Sequence, residues 1–195
     1  MSPRRLSVAT VILVGVSLGL SGPVVSAFGG YETAELAPPA QVVGWVGLGG
    51  ELGPGLIAAY RPQVHVRVGI APRLDVGLGT GFWVERNLAS SAWLGVTGDL
   101  RYRLNRAPDL ALGYRPPTIP VGGTSMGAIG IYVSHPFGAV TPYGRYRVDF
   151  GLSDDFDLAH EIALGVELDN PGRIPTIFAL SWQDGVWVIG LAFRL

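Results

Sequence analysis

The sequence predicts an all-β chain: an antiparallel up-and-down transmembrane barrel of about ten strands, with eight as the smaller alternative. Three observations predict it. From Gln41 to Leu195 apolar residues recur at every second position, in short segments separated by Gly, Pro, Asn or Asp, and no segment carries a 3.6-residue period. Charged residues make up only 15% of the 195, against about 25% in ordinary soluble domains, while Gly fills 29 positions. The last alternating segment runs to the final residue, Leu195.

Composition narrows the function classes. The chain has no Cys, which excludes disulfide scaffolds, thiol catalysis, Cys-based metal sites and lipid attachment through an N-terminal Cys. All 14 basic residues are Arg; without Arg4 and Arg5, 12 remain against 15 acids. A slightly acidic chain without a basic patch is a poor partner for nucleic acid.

Residues 1–27 have the layout of a secretory signal peptide: Arg4 and Arg5, an apolar stretch from Leu6, then small residues ending in Val25-Ser26-Ala27, a cleavage-type triplet. The stretch to Ala27 approaches the roughly 20 residues of a membrane-spanning helix. Gly15, Gly19, Gly22 and Pro23 weaken that helix toward its end, so removal and export of a chain beginning at Phe28 is the expectation. Residues 28–39 carry polar residues and end in Pro38-Pro39, which predicts an extended periplasmic lead-in outside any core. The barrel is then 40–195. Its candidate strands are 41–52, 62–71, 74–84, 92–104, 109–115, 127–134, 141–152, 159–168, 175–183 and 186–195.

Each strand sorts its residues onto two faces. Val64, Val66, Val68 and Ile70 oppose Gln63, His65 and Arg67; Tyr146, Val148 and Phe150 oppose Arg145, Arg147 and Asp149; Ile162, Leu164 and Val166 oppose Glu161 and Glu167. A one-residue slip would exchange every set, so the register is strongly specified. In a soluble ligand-binding barrel the apolar face points inward; in a membrane barrel it meets lipid and the charges line the lumen. Two features favour the second. The polar face is mostly Gly and Ala with a few charges and no Lys, as on Gly77, Gly79 and Gly81, which suits a crowded interior better than a wet surface. Connections also alternate between short ones (71–73, 105–108, 135–140, 169–174) and generally longer ones (53–61, 85–91, 116–126, 153–158), with 183–185 as the exception.

On this reading the lumen receives Arg67, Arg101, Arg103, Arg145, Arg147 and Arg194 together with Glu51, Asp75, Asp99, Asp149, Glu161 and Glu167. Isolated buried charge is very costly, so equal numbers predict internal ion-pair networks, which Arg's planar fork serves well. About ten strands leave a lumen nearly filled by side chains. A narrow channel for ions or small solutes is the alternative to a closed, structural barrel.

The final segment alternates Trp187, Ile189, Leu191, Phe193 and Leu195. In this it resembles small bacterial outer-membrane β-barrel proteins, whose last strand is an apolar alternating signal read by the barrel-assembly machinery. The family usually ends in Phe or Trp; here the end is Leu195, with Phe193 two before it. The resemblance implies a fold, an outer-membrane address, and outer-membrane lipid and the assembly machinery as partners. It implies no cofactor and leaves the oligomeric state open.

Some small outer-membrane barrels are hydrolases with His and acids at the outer rim. His160 follows Ser153, Asp154, Asp155 and Asp157, the residue types such a cluster needs, yet His160 and Glu161 are strand neighbours and point to opposite faces. The motifs of the omptin proteases and lipid A deacylases are not present, and no catalytic residue is assigned. The same acids suit a solvated loop better than a Ca²⁺ site, so no metal is assigned. His65 reads as a hydrogen-bonded interior residue and His135 as a turn residue. Trp83, Trp93, Tyr102, Trp182, Trp187 and Phe193 lie near strand ends, where interfacial aromatic girdles belong, although Trp83 and Trp93 fall on the inward parity of their strands.

Overall fold

The computed structural model describes residues 33–53, 56–85, 92–116, 126–151, 158–169, 173–183 and 185–195; side chains at 56, 82–95 and 126 are outside that description. Ten strands follow in order: β1 (Val42–Gly53), β2 (Leu56–Ala71), β3 (Leu74–Glu85), β4 (Ala92–Arg106), β5 (Asp109–Arg115), β6 (Met126–Ser134), β7 (Val140–Gly151), β8 (Leu158–Leu168), β9 (Thr176–Gln183) and β10 (Val186–Arg194). Each pairs antiparallel with its sequence neighbours, and β10 returns to β1 through pairs such as Trp45–Arg194 and Leu52–Trp187. The barrel is closed, so no sheet edge is left unpaired.

The strands lie within two residues of the expected ones except at β2, which starts at Leu56 rather than 62. The expected longer connection at 53–61 is therefore corrected: β1 runs through Gly53 and pairs with Leu56, around Pro54-Gly55. Leu56 to Ala59 is an unbroken apolar run with no period of two. At one end of the barrel the turns are 72–73, 107–108, 135–139 and 169–175, and we call this the short-turn end. The opposite end carries the connections at 54–55, 86–91, 116–125, 152–157 and 184–185. Only the middle three of these are long, so the alternation of lengths holds for β3 to β8 and fails beside β1 and β10.

The faces are inverted relative to a soluble barrel. Val46, Leu48, Val64, Leu78, Val96, Ile131, Ile162, Leu164, Phe178 and Ile189 all project outward and are exposed, Leu164 at 62%. The largest fully buried side chains are Arg67, Arg101, Arg147, Glu161, Asp75 and Asp149. Between them sit small inward residues, Ala59, Ala111, Ala128, Ala163 and Ala192, and a small apolar cluster of Trp45, Tyr143, Ile177 and Ala192. Gly77 shows why the interior needs small residues, since a Cβ there would fall within 2.7 Å of the Asp99, His65 and Arg67 side chains.

The lead-in differs from its expectation. Its described residues are not outside the core: Thr33, Ala34, Leu36 and Ala37 are buried, and Ala34 and Leu36 pack with Ala111 of β5 and Tyr132 of β6. The segment enters beside β2, where Pro39 bridges to Gly69 and the Ala40 N–H donates to the Gly69 carbonyl at 2.9 Å. Ala40 takes the left-handed φ of 61° where this strap turns into β1. Gly69 has to be glycine here, because a Cβ would run into the Pro38 and Ala37 carbonyls.

Candidate functional site

The chemistry of the molecule is concentrated in its lumen, where strand parity aims charged side chains at one another. Nearest the short-turn end the focus is Asp75. Its carboxylate accepts from Arg67 Nη2 at 2.6 Å, from Arg101 Nη2 at 3.0 Å and from the Ala37 N–H of the strap at 2.9 Å. Arg67 reaches across to Asp99 at 2.7 Å, and His65 stands 3.6 Å from the same carboxylate. Arg101 also donates to the carbonyls of Thr33 and, at 3.0 Å, Glu35. Arg194 pairs with Glu167 of β8 and Glu35 of the strap, each at 3.0 Å. The strap is thus held by both its backbone and the Glu35 carboxylate.

A second network lies higher. Glu161 pairs with Arg145 and, at 2.5 Å, with Arg147; Arg147 Nε donates to Asp149 at 3.0 Å, and Arg115 stands 3.9 Å from Asp149. Tyr132 joins the two layers, with Arg101 and Arg145 guanidinium carbons 5.7 and 5.9 Å from its ring centroid. Two smaller pairs complete the set: Glu51 with Arg61 at 2.9 Å, and Arg103 with Asp109 at 3.6 Å nearer the short-turn rim. Each charge faces an opposite one, the condition under which buried charge is tolerated. The space between the strap and the wall near Val43, Trp45 and Ile177 is a cavity of about 20 Å³, room for about one water.

All twelve lumen positions expected from the sequence project inward. Four partners were missed. Arg61 fell in the supposed loop before β2, Arg115 and Asp109 sit at strand ends where alternation stops, and Glu35 belongs to the strap, which has no periodicity. His65 lies inside, as expected, its ring tilted against that of Trp45 at 4.8 Å between centroids. Trp187, Ile189 and Phe193 point outward from β10, and Leu195, just beyond its end, is exposed. His160 is on the outside, its Nδ1 2.8 Å from the Tyr146 hydroxyl, while Glu161 is buried in the lumen, so the two do not form a site. Ser153, Asp154, Asp155 and Asp157 lie outside the described residues, as do the leader 1–27, residues 28–32 of the lead-in, most of the loop 116–126, and the side chains of Trp83 and Trp93.

No family model and no curated protein matches the sequence. Among solved structures the chain is similar in fold to a barrel from the de novo design of transmembrane β-barrels, at a TM-score of 0.38 and 13% identity over 83% of this chain and 100% of that one. It is also similar to the translocator domain of the autotransporter NalP from Neisseria meningitidis, at a TM-score of 0.43 and 10% identity over 78% of this chain and 86% of that one.

Proposed function

We propose that the chain is an exported, integral outer-membrane β-barrel with a structural or interaction role, closed by its own ion pairs and strap. The observation that carries this reading is the inversion of the two faces. A belt of exposed Val, Leu, Ile and aromatic side chains surrounds the outside, far beyond the few hundred Å² of apolar patch a soluble monomer tolerates, while the largest fully buried side chains are six charged ones. In lipid both halves of that arrangement are satisfied. A soluble lipid-binding barrel would need an apolar cavity inside, and this lumen is filled with paired charge. The narrow-channel alternative needs a continuous polar path; the strap and the Tyr132-linked networks lie across it.

Two further assignments belong to this reading. Residues 1–27 serve as the export signal, and the outward series Trp187, Ile189, Leu191, Phe193 and Leu195 serves as the mark read by the barrel-assembly machinery. No hydrolase centre is assigned, because His160 and Glu161 face opposite sides of the wall.

The test is fractionation of cells expressing the full chain, gel migration with and without boiling, and single-channel recording on the purified barrel. The expected result is outer-membrane recovery, a heat-dependent shift and no stable conductance. A soluble periplasmic product without a shift would reverse the assignment of faces, and steady unit conductance would establish the channel instead.

A further inference from the structure

The charges left over once the lumen is accounted for are sorted between the two rims. Of the 14 arginines, eight are paired in the lumen, Arg4 and Arg5 belong to the leader, and Arg86 lies in the connection between β3 and β4. The remaining three, Arg73, Arg106 and Arg173, all sit at the short-turn end, in or beside the β2–β3, β4–β5 and β8–β9 turns. All three are exposed, and none forms an ion pair among the described residues. The remaining short turn, between β6 and β7, carries His135. The exposed acids at this end among the described residues are Asp169 and Glu35, the latter paired with Arg194. The sequence of the connections at the other end holds Asp154, Asp155, Asp157 and Asp184 against Arg86.

Exposed aromatic rings lie at the same end. Phe137, in the β6–β7 turn itself, is 64% exposed and stacks edge-on against His135 at 4.7 Å. Tyr102 and Phe193 project outward near the short-turn ends of β4 and β10, at 45% and 42% exposure. Aromatic rings beside arginines at the border of an apolar belt have the chemistry of a bilayer interface, where rings sit among the headgroups and guanidinium groups reach phosphate. Arginine suits that contact because its fork meets phosphate oxygens in pairs. Arginines arranged only to keep the protein soluble would have no reason to collect at one end while the sequence of the other end's connections holds four acids and one arginine.

We propose that the short-turn rim is a docking ring for anionic phospholipid, with Arg73, Arg106 and Arg173 binding the headgroup phosphates of one leaflet. The inference rests on the membrane reading above and adds lipid selectivity and sidedness to it. Each arginine held at headgroup level favours an anionic lipid by about fivefold, an effect that salt weakens.

The experiment uses the full barrel reconstituted in phosphatidylcholine vesicles containing a trace of spin-labelled phosphatidylglycerol or spin-labelled phosphatidylcholine. Electron paramagnetic resonance then reads the fraction of each probe immobilised at the protein perimeter. The expected result is a larger immobilised fraction for phosphatidylglycerol, falling with added salt and abolished in the triple variant R73Q/R106Q/R173Q, which keeps its heat-dependent gel shift. Equal fractions for the two probes, or a preference that survives the triple variant, would overturn the proposal while leaving the membrane barrel in place. No immobilised fraction for either probe would overturn the membrane reading itself, and the proposal with it.

Discussion

Asp75 shows what a single lumen charge does. It is fully buried and is shared by Arg67, Arg101 and the Ala37 N–H, so its removal leaves buried Arg101 without a carboxylate and Arg67 with Asp99 alone. Breaking a buried pair from one side costs about 3–5 kcal/mol, whereas loosely held partly exposed pairs contribute about 1 kcal/mol or less. Asp75→Asn is therefore expected to lower the unfolding free energy of the barrel by several times more than Asp109→Asn, whose partner Arg103 stands 3.6 Å away near the rim. Denaturant titration in the same detergent compares them, and equal losses would mean that the lumen is wet enough to screen its charges. Inward positions such as Arg145, Arg147 and Asp149 were legible because they alternate with large apolar residues. Their pairing was not, because partners such as Arg101 with Thr33 or Arg194 with Glu35 are joined across the lumen and sequence order does not encode that closure.

At the scale of elements, the strands were readable wherever a period of two persisted, as in β8 from Ile162 to Leu168, and less so where it lapsed. The Leu56–Ala59 run at the start of β2 hides its faces, and a Pro at 62 reads as a break. The strap was unreadable for a different reason. Its polar backbone groups bond to Asp75 and Arg101 side chains instead of a ladder, so no hydrophobic pattern was required of it. What seats it is the close approach to β2 at Gly69. Gly69→Val would drive a side chain into the Pro38 and Ala37 carbonyls, while β2 itself can accept a β-branched residue. The expected outcome is a barrel that still shows its heat-dependent shift but whose N-terminal segment is cut by protease. Protection equal to that of the parent chain would show that the bridge at Gly69 does not hold the strap.

The molecule is an inverted object: paired charge within, apolar side chains without and, among the described residues, arginines without an ion pair at the short-turn rim. Closure of β10 on β1 allows this, since a barrel without edges satisfies its backbone internally and leaves its outer face free to be wholly apolar. The alternation along each strand made the two faces legible, and the Gly- and Ala-rich polar face indicated which was inside. The measurement that tests the central claim most directly exploits the absence of Cys, which lets a single spin label be placed at outward positions of β8: Leu158, Ile162, Leu164, Val166 and Leu168. Collision with oxygen, which concentrates in lipid, is compared with collision with a water-soluble nickel chelate for the barrel in vesicles. The inverted barrel predicts high oxygen and low nickel access at all five, with oxygen access greatest near Leu164. High nickel access at Ile162 and Leu164 would place that face in water and contradict it.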